Sequence, residues 1–325
     1  MDYLRKLLCG ESPGLLRRPI RVWKNGCTGT HMAPIAEWIG TIPDSTADEE
    51  RAPNAFDKPG IESALSPENL LRVFSAKHGQ SAPLGWSPKL QRAFGYFNPD
   101  DHYEAVVDRL IRPGTKWLDV GCGRSPFPNN KRLARGTSER CKLLVGVDPS
   151  ELADSNPYVH KAFRASIEEF SSTERFDVVT LRMVVEHLEN PTRVIRNLSR
   201  LTKDGGKVVV YTVSKWSPGT LAARLLPYRL HHRIKRLVWD VQKQDTFPAY
   251  YRLNTHARLL RAFSDFGFQE SLFARLDDCS ISGGVQSVRY VDLTLRNAIA
   301  KFGLPYPESC LIGVYEREGS SRSQD

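Results

Sequence analysis

Short apolar runs recur through the middle of the chain, and each has the length and composition of a buried strand. The clearest runs are residues 117–120, 143–147, 176–181 and 207–212. Between the last two, apolar residues recur at helical spacing and predict an amphipathic helix with Val194, Ile195, Leu198 and Leu201 on one face. Weaker patterns predict helices at 67–76, 101–111, 257–266 and 285–302, and strands near 268–276 and 309–316. Strands that alternate with helices in this way are typical of an α/β domain with a largely parallel sheet.

The first of these strands ends in a turn that contains two glycines. Gly121 and Gly123 stand one residue apart, and Asp119 precedes the first of them by two positions. Glycine reaches backbone angles closed to other residues and lets a ligand approach the main chain closely. A carboxylate at this turn suits a ligand with a positive charge or hydroxyl groups better than it suits a pyrophosphate. The dinucleotide-binding pattern G-x-G-x-x-G needs a third glycine, and Pro126 occupies that position here.

The second strand ends at an acidic residue, Asp148. A carboxylate at the tip of this strand is placed to accept hydrogen bonds from both ribose hydroxyls of an adenosine. The alternative is a structural cap, because the run Asp148-Pro149-Ser150-Glu151 can begin a turn or a helix.

The stretch from Asp119 to Gly123 resembles motif I of the class I S-adenosylmethionine (SAM)-dependent methyltransferases, whose D-x-G-x-G turn holds the amino acid end of the cofactor. The later segments FDVV, EHLENP and LTKDGGKVVV are similar to those of the small-molecule members, a group that includes ubiquinone-pathway and natural-product enzymes. The resemblance covers roughly residues 100–316. It implies a Rossmann-like, doubly wound, seven-stranded sheet, mostly parallel with an antiparallel edge strand, and with helices on both faces.

The same resemblance implies the cofactor SAM, which becomes S-adenosylhomocysteine (SAH) after transfer. The family usually contacts the adenine in the loop after the third strand, which corresponds to residues 163–170. Ser166 and Ile167 are the candidates there, one polar and one apolar. The predicted cofactor-binding residues are Asp119, Gly121, Cys122, Gly123, Asp148, Ser166, Ile167 and Arg182.

His187 is the candidate catalytic base. Transfer from SAM is an in-line displacement in which the protein mainly aligns the reacting atoms, but an oxygen acceptor also gains from a base that takes its proton. His187 lies just beyond the fourth strand, near the ligand-binding edge of such sheets. The alternative is a histidine that hydrogen-bonds a neighbouring loop. Some relatives hold a divalent metal with E-x-x-E-H here, but Met183 replaces the first carboxylate, so no metal is predicted.

Residues 214–252 form an insertion after the fifth strand, shortly before Asn254 and Thr255, which can cap the next helix. Within the insertion, residues 221–239 are basic and amphipathic. They predict a helix over the active site, a membrane-surface helix that reaches a lipid-like substrate, or a patch for an acidic partner. The aromatic and basic residues that follow predict a wall of the acceptor pocket, with core packing as the alternative: Tyr250, Tyr251 and Arg252.

Charge and composition leave three function classes. The net charge of +9 and the pI of about 9.3 allow RNA binding. However, the sequence contains no recognisable nucleic-acid module, and residues 181–184 lack the N/D-P-P-Y/F motif of amino-methylating nucleic-acid enzymes. We therefore expect a small-molecule methyltransferase acting on oxygen. An RNA-modifying enzyme and a non-catalytic SAM-binding protein are the alternatives.

The remaining features concern location and boundaries. Six scattered cysteines, no apolar run of membrane-spanning length and no secretory signal predict a cytoplasmic protein, with peripheral membrane contact through 221–239 as an option. We assign 1–85 to a poorly patterned, partly disordered extension, 86–316 to the methyltransferase domain and 317–325 to a disordered tail. Met32 is an alternative start.

Overall fold

The computed structural model describes residues 60–79, 86–218, 220–221, 248–279, 286–304 and 306–319. Its strands are β1 (Lys116–Val120), β2 (Leu143–Asp148), β3 (Lys161–Arg164), β4 (Phe176–Arg182), β5 (Thr202–Val213), β6 (Phe268–Asp277) and β7 (Glu308–Arg317). They form one seven-stranded sheet in the order β3-β2-β1-β4-β5-β7-β6. β1 to β5 are parallel, and β7 is antiparallel to β5 and β6. The predicted doubly wound, mostly parallel sheet is therefore confirmed.

The strand order places the candidate residues at one edge of the sheet. β2 and β4 lie on opposite sides of β1, so the order reverses between β1 and β4. Ligands bind outside the carboxyl ends of the strands at such a reversal. Because β6 is antiparallel to β7, and β7 to β5, the carboxyl end of β6 lies at the same edge.

Helices cover both faces of the sheet. They are α1 (Pro67–His78), α2 (Trp86–Phe94), α3 (Pro99–Leu110), α4 (Lys131–Arg140), α5 (Pro191–Leu201), α6 (His256–Ser264) and α7 (Gln286–Lys301). Successive strand residues point to opposite faces, so Leu118 joins the core under α5 and α6, whereas Trp117 joins the core under α3 and α4. The apolar stripe predicted for α5 is buried in the first of these cores.

Part of the segment that we assigned to the N-terminal extension packs on the domain. Leu70 and Val73 of α1 are buried against α3. The side chain of Lys77 is 7% exposed, and its Nζ lies 2.9 Å from Asp101 and 3.1 Å from Glu104. Loss of Lys77 would leave buried carboxylates without their cation, so α1 is anchored to α3 by charge as well as by apolar contact.

Several local predictions need correction. The helix α2 was not predicted, and Arg317, assigned to the tail, is the last residue of β7 and donates to the carbonyl of Thr202. β5 begins at Thr202, five residues before the strand predicted at 207–212, and its pairing with β4 is irregular in that added part. Thr255 precedes α6 without capping it through its side chain, and Asn254 instead donates to Thr212 Oγ1 and Val213 O, each at 2.8 Å.

Some predictions fall outside the described residues. Residues 222–247, which include most of the basic amphipathic segment 221–239, are among them, as are residues 1–59 with Met32. No helix of the described residues is long and apolar enough to cross a membrane.

Candidate active site

The turn after β1 requires glycine at its first position. Gly121 and Gly123 have φ values of 70° and 43°, in the left-handed region that favours glycine. A Cβ on Gly121 would also lie 2.4 Å from Val184 Cγ2, in the segment that follows β4. Close approach of that segment to the turn therefore depends on the missing side chain.

Hydrogen bonds from β2 and the segment after it hold the turn in place. Gly121 N donates to Val147 O at 2.7 Å, and Gly123 N donates to Asp148 Oδ2 at 3.0 Å. Asn156 Nδ2 donates to the carbonyl oxygens of Cys122 and Gly123, both at 3.1 Å. The Cys122 thiol is buried, and burial raises its pKa, so this residue contributes through its backbone. Sequence reasoning missed Asn156, which lies 33 and 34 residues from the groups it holds.

Asp148 has structural partners as well as room for a ligand. Its Oδ1 accepts hydrogen bonds from Ser150 N at 2.8 Å and Ser150 Oγ at 2.6 Å. Ser150, rather than Asp148, is the N-cap of the short 3₁₀ turn at Glu151–Ser155. A carboxylate oxygen can accept two hydrogen bonds, so Oδ2, which accepts one from Gly123, retains capacity for a hydroxyl group.

The carboxyl group of Asp119 is buried and hydrogen-bonded to a neighbouring strand. The residue is 2% exposed, and its Oδ1 accepts a 2.7 Å hydrogen bond from Thr180 Oγ1, which in turn accepts one of 2.8 Å from Trp117 Nε1. Burial raises the pKa of Asp119 to about 7, although the Thr180 hydrogen bond and the Arg182 charge oppose this shift. A cation bound beside Asp119 would favour the ionised form.

Arg182, Ile167 and Ser166 differ in their contacts and in their exposure to solvent. Arg182 ends β4, and its guanidinium lies 3.1 Å from Asp100 at the start of α3, so its described partner is a side chain of the domain itself. Ile167 is buried in the core beneath α5. Ser166 lines an open groove of about 590 Å³ together with Glu168, Glu189, Asn190, Arg193 and Arg252. Of the two adenine candidates, Ser166 is the one on an accessible surface.

His187 is bonded to the segment that returns from the insertion. Its Nδ1 lies 2.9 Å from the carbonyl oxygen of Pro248. A carbonyl can only accept, so this contact assigns the proton to Nδ1, and in the neutral ring the lone pair is then at Nε2. The hydrogen bond to a neighbouring loop is thus present, and it orients the ring as a base would require.

Glu186 also bonds the segment that returns from the insertion. We call the group that forms these bonds the return clamp. It consists of Glu186, His187, Thr212 and Asn254, which are bonded to one another or to residues 248–251. The buried Glu186 carboxylate accepts from Thr212 Oγ1 at 2.8 Å, and Thr212 accepts from Asn254 Nδ2. Glu186 O accepts from the backbone N–H groups of Tyr250 at 2.7 Å and Tyr251 at 3.1 Å. The carboxylate is therefore committed to the interior, and the described residues contain no group of three or more metal-binding side chains.

Backbone strain is concentrated at the return clamp. Among the described residues, Met183 and Tyr251 are the non-glycine residues with positive φ, at 53° and 52°. Each such conformation costs about 1–3 kcal/mol and persists where the surroundings enforce it. Met183 N donates to Tyr211 O at 2.7 Å, and Tyr251 N donates to Glu186 O. Backbone strain of this kind is characteristic of functional sites. The sequence around these two residues contains no pattern that predicts a positive φ.

The three predicted acceptor residues lie beside His187. Tyr250 is exposed, and the Arg252 guanidinium lies 5.5 Å from the centroid of its ring. Tyr251 is partly buried. The clamp therefore brings together the predicted base and the predicted acceptor wall, which are about sixty residues apart in the chain.

Comparison with known proteins identifies the family. Residues 82–269 match a family model described as a methyltransferase domain. The ubiquinone biosynthesis O-methyltransferase of Xanthomonas oryzae pv. oryzae is 32% identical over 142 residues, which are 39% of this chain and 58% of the relative. The mitochondrial enzyme of the same name from Schizosaccharomyces pombe is 32% identical over 145 residues, or 42% of this chain and 50% of the relative. The chain thus spans only part of the length of these relatives.

Among solved structures, magnesium protoporphyrin IX methyltransferase from Synechocystis with bound SAH is 15% identical. The match covers 77% of this chain and 93% of that one, with a TM-score of 0.41, which is too low to bear on function. The family model, in contrast, covers more than half of the chain and includes the glycine turn, Asp148 and the return clamp. The chain belongs to the class I SAM-dependent methyltransferases.

Proposed function

We propose that this protein transfers a methyl group from SAM to an oxygen atom of a small-molecule acceptor. The observation that carries the proposal is the contact between His187 Nδ1 and Pro248 O, which assigns the proton to Nδ1 and so places the basic lone pair of the neutral ring at Nε2, the nitrogen that would take a proton from a hydroxyl group. The two relatives, both ubiquinone biosynthesis O-methyltransferases, support the same acceptor atom.

The cofactor is proposed to lie along the carboxyl edge of β1, β2 and β4. Asp119 and the backbone of Gly121, Cys122 and Gly123 would hold its amino acid end. Asp148 would accept from one ribose hydroxyl through Oδ2, and Ser166, next to the buried Ile167, would contact the adenine. We propose a supporting role for Arg182, since its ion pair with Asp100 joins the end of β4 to α3 and its charge favours ionised Asp119. SAM supplies an activated methyl group, and the protein supplies alignment.

Acceptor selection is proposed to reside in Tyr250, Tyr251 and Arg252. The return clamp holds these residues next to His187, whereas the glycine turn and Asp148 contain nothing that could distinguish one acceptor from another. No metal is included in the proposal, since the Glu186 carboxylate is bonded to Thr212.

We further propose a cytoplasmic location, for which the buried thiols of Cys122, Cys141 and Cys310, none of them in a disulfide, are the support. Peripheral membrane contact through 221–239 also stays a proposal, because nearly all of that segment lies outside the described residues. RNA modification is the second candidate, favoured by the net charge of +9.

The test uses the protein with SAM and a panel of phenols, alcohols, carboxylic acids and amines. Mass spectrometry of the products should show methyl ethers or methyl esters, and methylation confined to the amines would overturn the proposal. His187→Gln keeps a polar side chain without the basic nitrogen, and we expect it to lower kcat by about 10²–10⁴-fold. SAH affinity should not change in this variant. An unchanged kcat would remove His187 from the reaction.

A further inference from the structure

Exposed apolar side chains are distributed unevenly over the molecule. Among the described residues, ten large apolar side chains are exposed, and eight of them belong to two chain connections. One connection joins β5 to α6 and contributes Trp216, Leu221 and Tyr250. The other joins β6 to β7 and contributes Val288, Val291, Leu295, Phe302 and Leu304.

Both connections lie at the carboxyl edge of the sheet. β5 and β6 end there, and β7 begins there, since Asp277 pairs with Glu308 and Val213 pairs with Cys310. The glycine turn and Asp148 occupy the same edge. The apolar side chains that meet solvent are therefore gathered on the side of the molecule where the cofactor site opens.

The helix α7 has two apolar faces. Its inner face packs on α2 through the buried Leu293 and through Tyr290, whose ring meets Phe94 edge-on at 5.7 Å. Its outer face carries Val288, Val291 and Leu295 at helical spacing, and Val291 is 63% exposed. Just beyond the helix, Phe302 is 82% exposed. Packing within the domain covers the inner face of α7, whereas the outer face is exposed.

Cations accompany these apolar side chains. Lys89 and Arg92 on α2 and Lys301 at the end of α7 are exposed, and none has an ion pair within the part of the chain that the structure describes. The acidic groups nearby are engaged internally, since Asp277 pairs with Arg296 and Asp292 accepts from Tyr306. The surface formed by α2, α7 and residues 302–304, which we call the cap surface, thus combines exposed apolar side chains with positive charge that has no ion pair among the described residues.

We propose that the cap surface docks on an anionic lipid bilayer. Interfacial helices bury an apolar face at the acyl boundary while their cations meet anionic headgroups. A second copy of the chain would bring like charges together. Of the five exposed apolar side chains on α7 and residues 302–304, only Phe302 is aromatic, so the surface lacks the row of rings on which successive nucleic-acid bases would stack. The inference rests on the proposed function in one respect, namely that docking at this edge would let an acceptor dissolved in the membrane reach the site.

Co-sedimentation with vesicles tests the docking without turnover. We expect binding to phosphatidylcholine vesicles that contain phosphatidylglycerol, and weaker binding to phosphatidylcholine alone. The triple variant Val291→Ser, Leu295→Ser and Phe302→Ser should bind more than about ten-fold more weakly. Its matched control is Leu71→Ser, which removes an exposed apolar side chain elsewhere and should bind like the wild type. SAH affinity, measured on every variant, shows separately whether the cofactor site is intact.

Several outcomes would overturn the inference. The inference is wrong if the wild-type protein does not bind anionic vesicles. It is also wrong if the triple variant binds them as tightly as the wild type does. Loss of binding on neutralising Arg229, Arg233 and Arg236, with retention in the triple variant, would move the contact to the insertion. A wild-type dimer that the triple variant converts to a monomer, without vesicle binding, would identify a second copy as the partner.

Discussion

Asp119 should make cofactor affinity depend on pH in a specific direction. Burial raises its pKa from 3.8 to about 7 in the folded protein, so the carboxyl group is largely protonated at pH 6. The cationic amino group of SAH would favour the ionised form, and binding would therefore release a proton at low pH. With a pKa of 7, the ionised fraction rises from about 0.09 at pH 6 to about 0.5 at pH 7, which strengthens binding about five-fold. The ligand's own amine, with a pKa of about 7.7–8.0, stays mostly protonated in this window.

The same shift affects stability with the opposite sign. The unfolded chain ionises Asp119 near pH 4, whereas the folded protein holds the proton to about pH 7. The folded state therefore binds more protons between these values, and stability falls as the pH rises through the interval. The whole effect is about 4 kcal/mol for a shift of this size at about 1.4 kcal/mol per pKa unit.

Calorimetry of SAH binding from pH 6 to pH 7 checks the prediction. Asp119→Asn should bind more weakly at pH 7 and show no slope. Glu104→Gln is the control, because burial also raises the pKa of Glu104 to about 7, but this side chain is bonded to Lys77 and Asn130 away from the glycine turn. A slope that survives in Asp119→Asn and disappears in Glu104→Gln would refute the reasoning.

Three further substitutions probe the site. Asp148→Ala should weaken SAH binding by about 1.5–3 kcal/mol, the scale of a hydrogen bond to a charged group, as measured by calorimetry. Thr212→Val removes the hydroxyl group that donates to the buried Glu186 carboxylate. It should lower the free energy of unfolding by about 1–3 kcal/mol in denaturant titrations, and amide exchange in the segment after residue 247 should become faster. Gly121→Ala should be destabilising in the same titrations because its Cβ meets Val184, and Val184→Ala in the same chain should recover part of the loss.

Matched controls separate these effects from general damage. Gly123→Ala carries a strained φ but meets no atom within 4 Å, so it should destabilise less than Gly121→Ala. Thr294→Val removes an exposed hydroxyl on α7 and should leave amide exchange after residue 247 unchanged. Unchanged SAH affinity in a folded Asp148→Ala protein would show that Asp148 holds the glycine turn in place and does not bind the cofactor.

Local patterns were sufficient for the fold and for the position of the glycine turn within it. β1 and β4 are buried on both faces, so their apolar runs are continuous and easily found. Gly121 and Asp119 belong to one short turn, so their spacing in the sequence already reflects their spacing in the structure. The position of His187 just beyond β4 could be predicted for the same reason.

Residues that act across long sequence distances were not predictable. Asn156 supports the glycine turn and Thr180 bonds Asp119, yet each is an ordinary polar residue with no periodic neighbours. Asn254 was interpreted as a cap, because the sequence gives no sign that its amide reaches β5. The burial of Lys77 depends on two acidic residues of α3, so a prediction from α1 alone could not find it.

The most direct measurement is incubation of the protein with methyl-labelled SAM and a metabolite extract, followed by separation of small molecules, RNA and protein. We predict label in a small molecule, formation of an equal amount of SAH, and loss of both in Asp119→Asn. Label that accumulates in RNA or protein, or SAH that never forms with any extract, would contradict the assignment of this site to small-molecule methyl transfer.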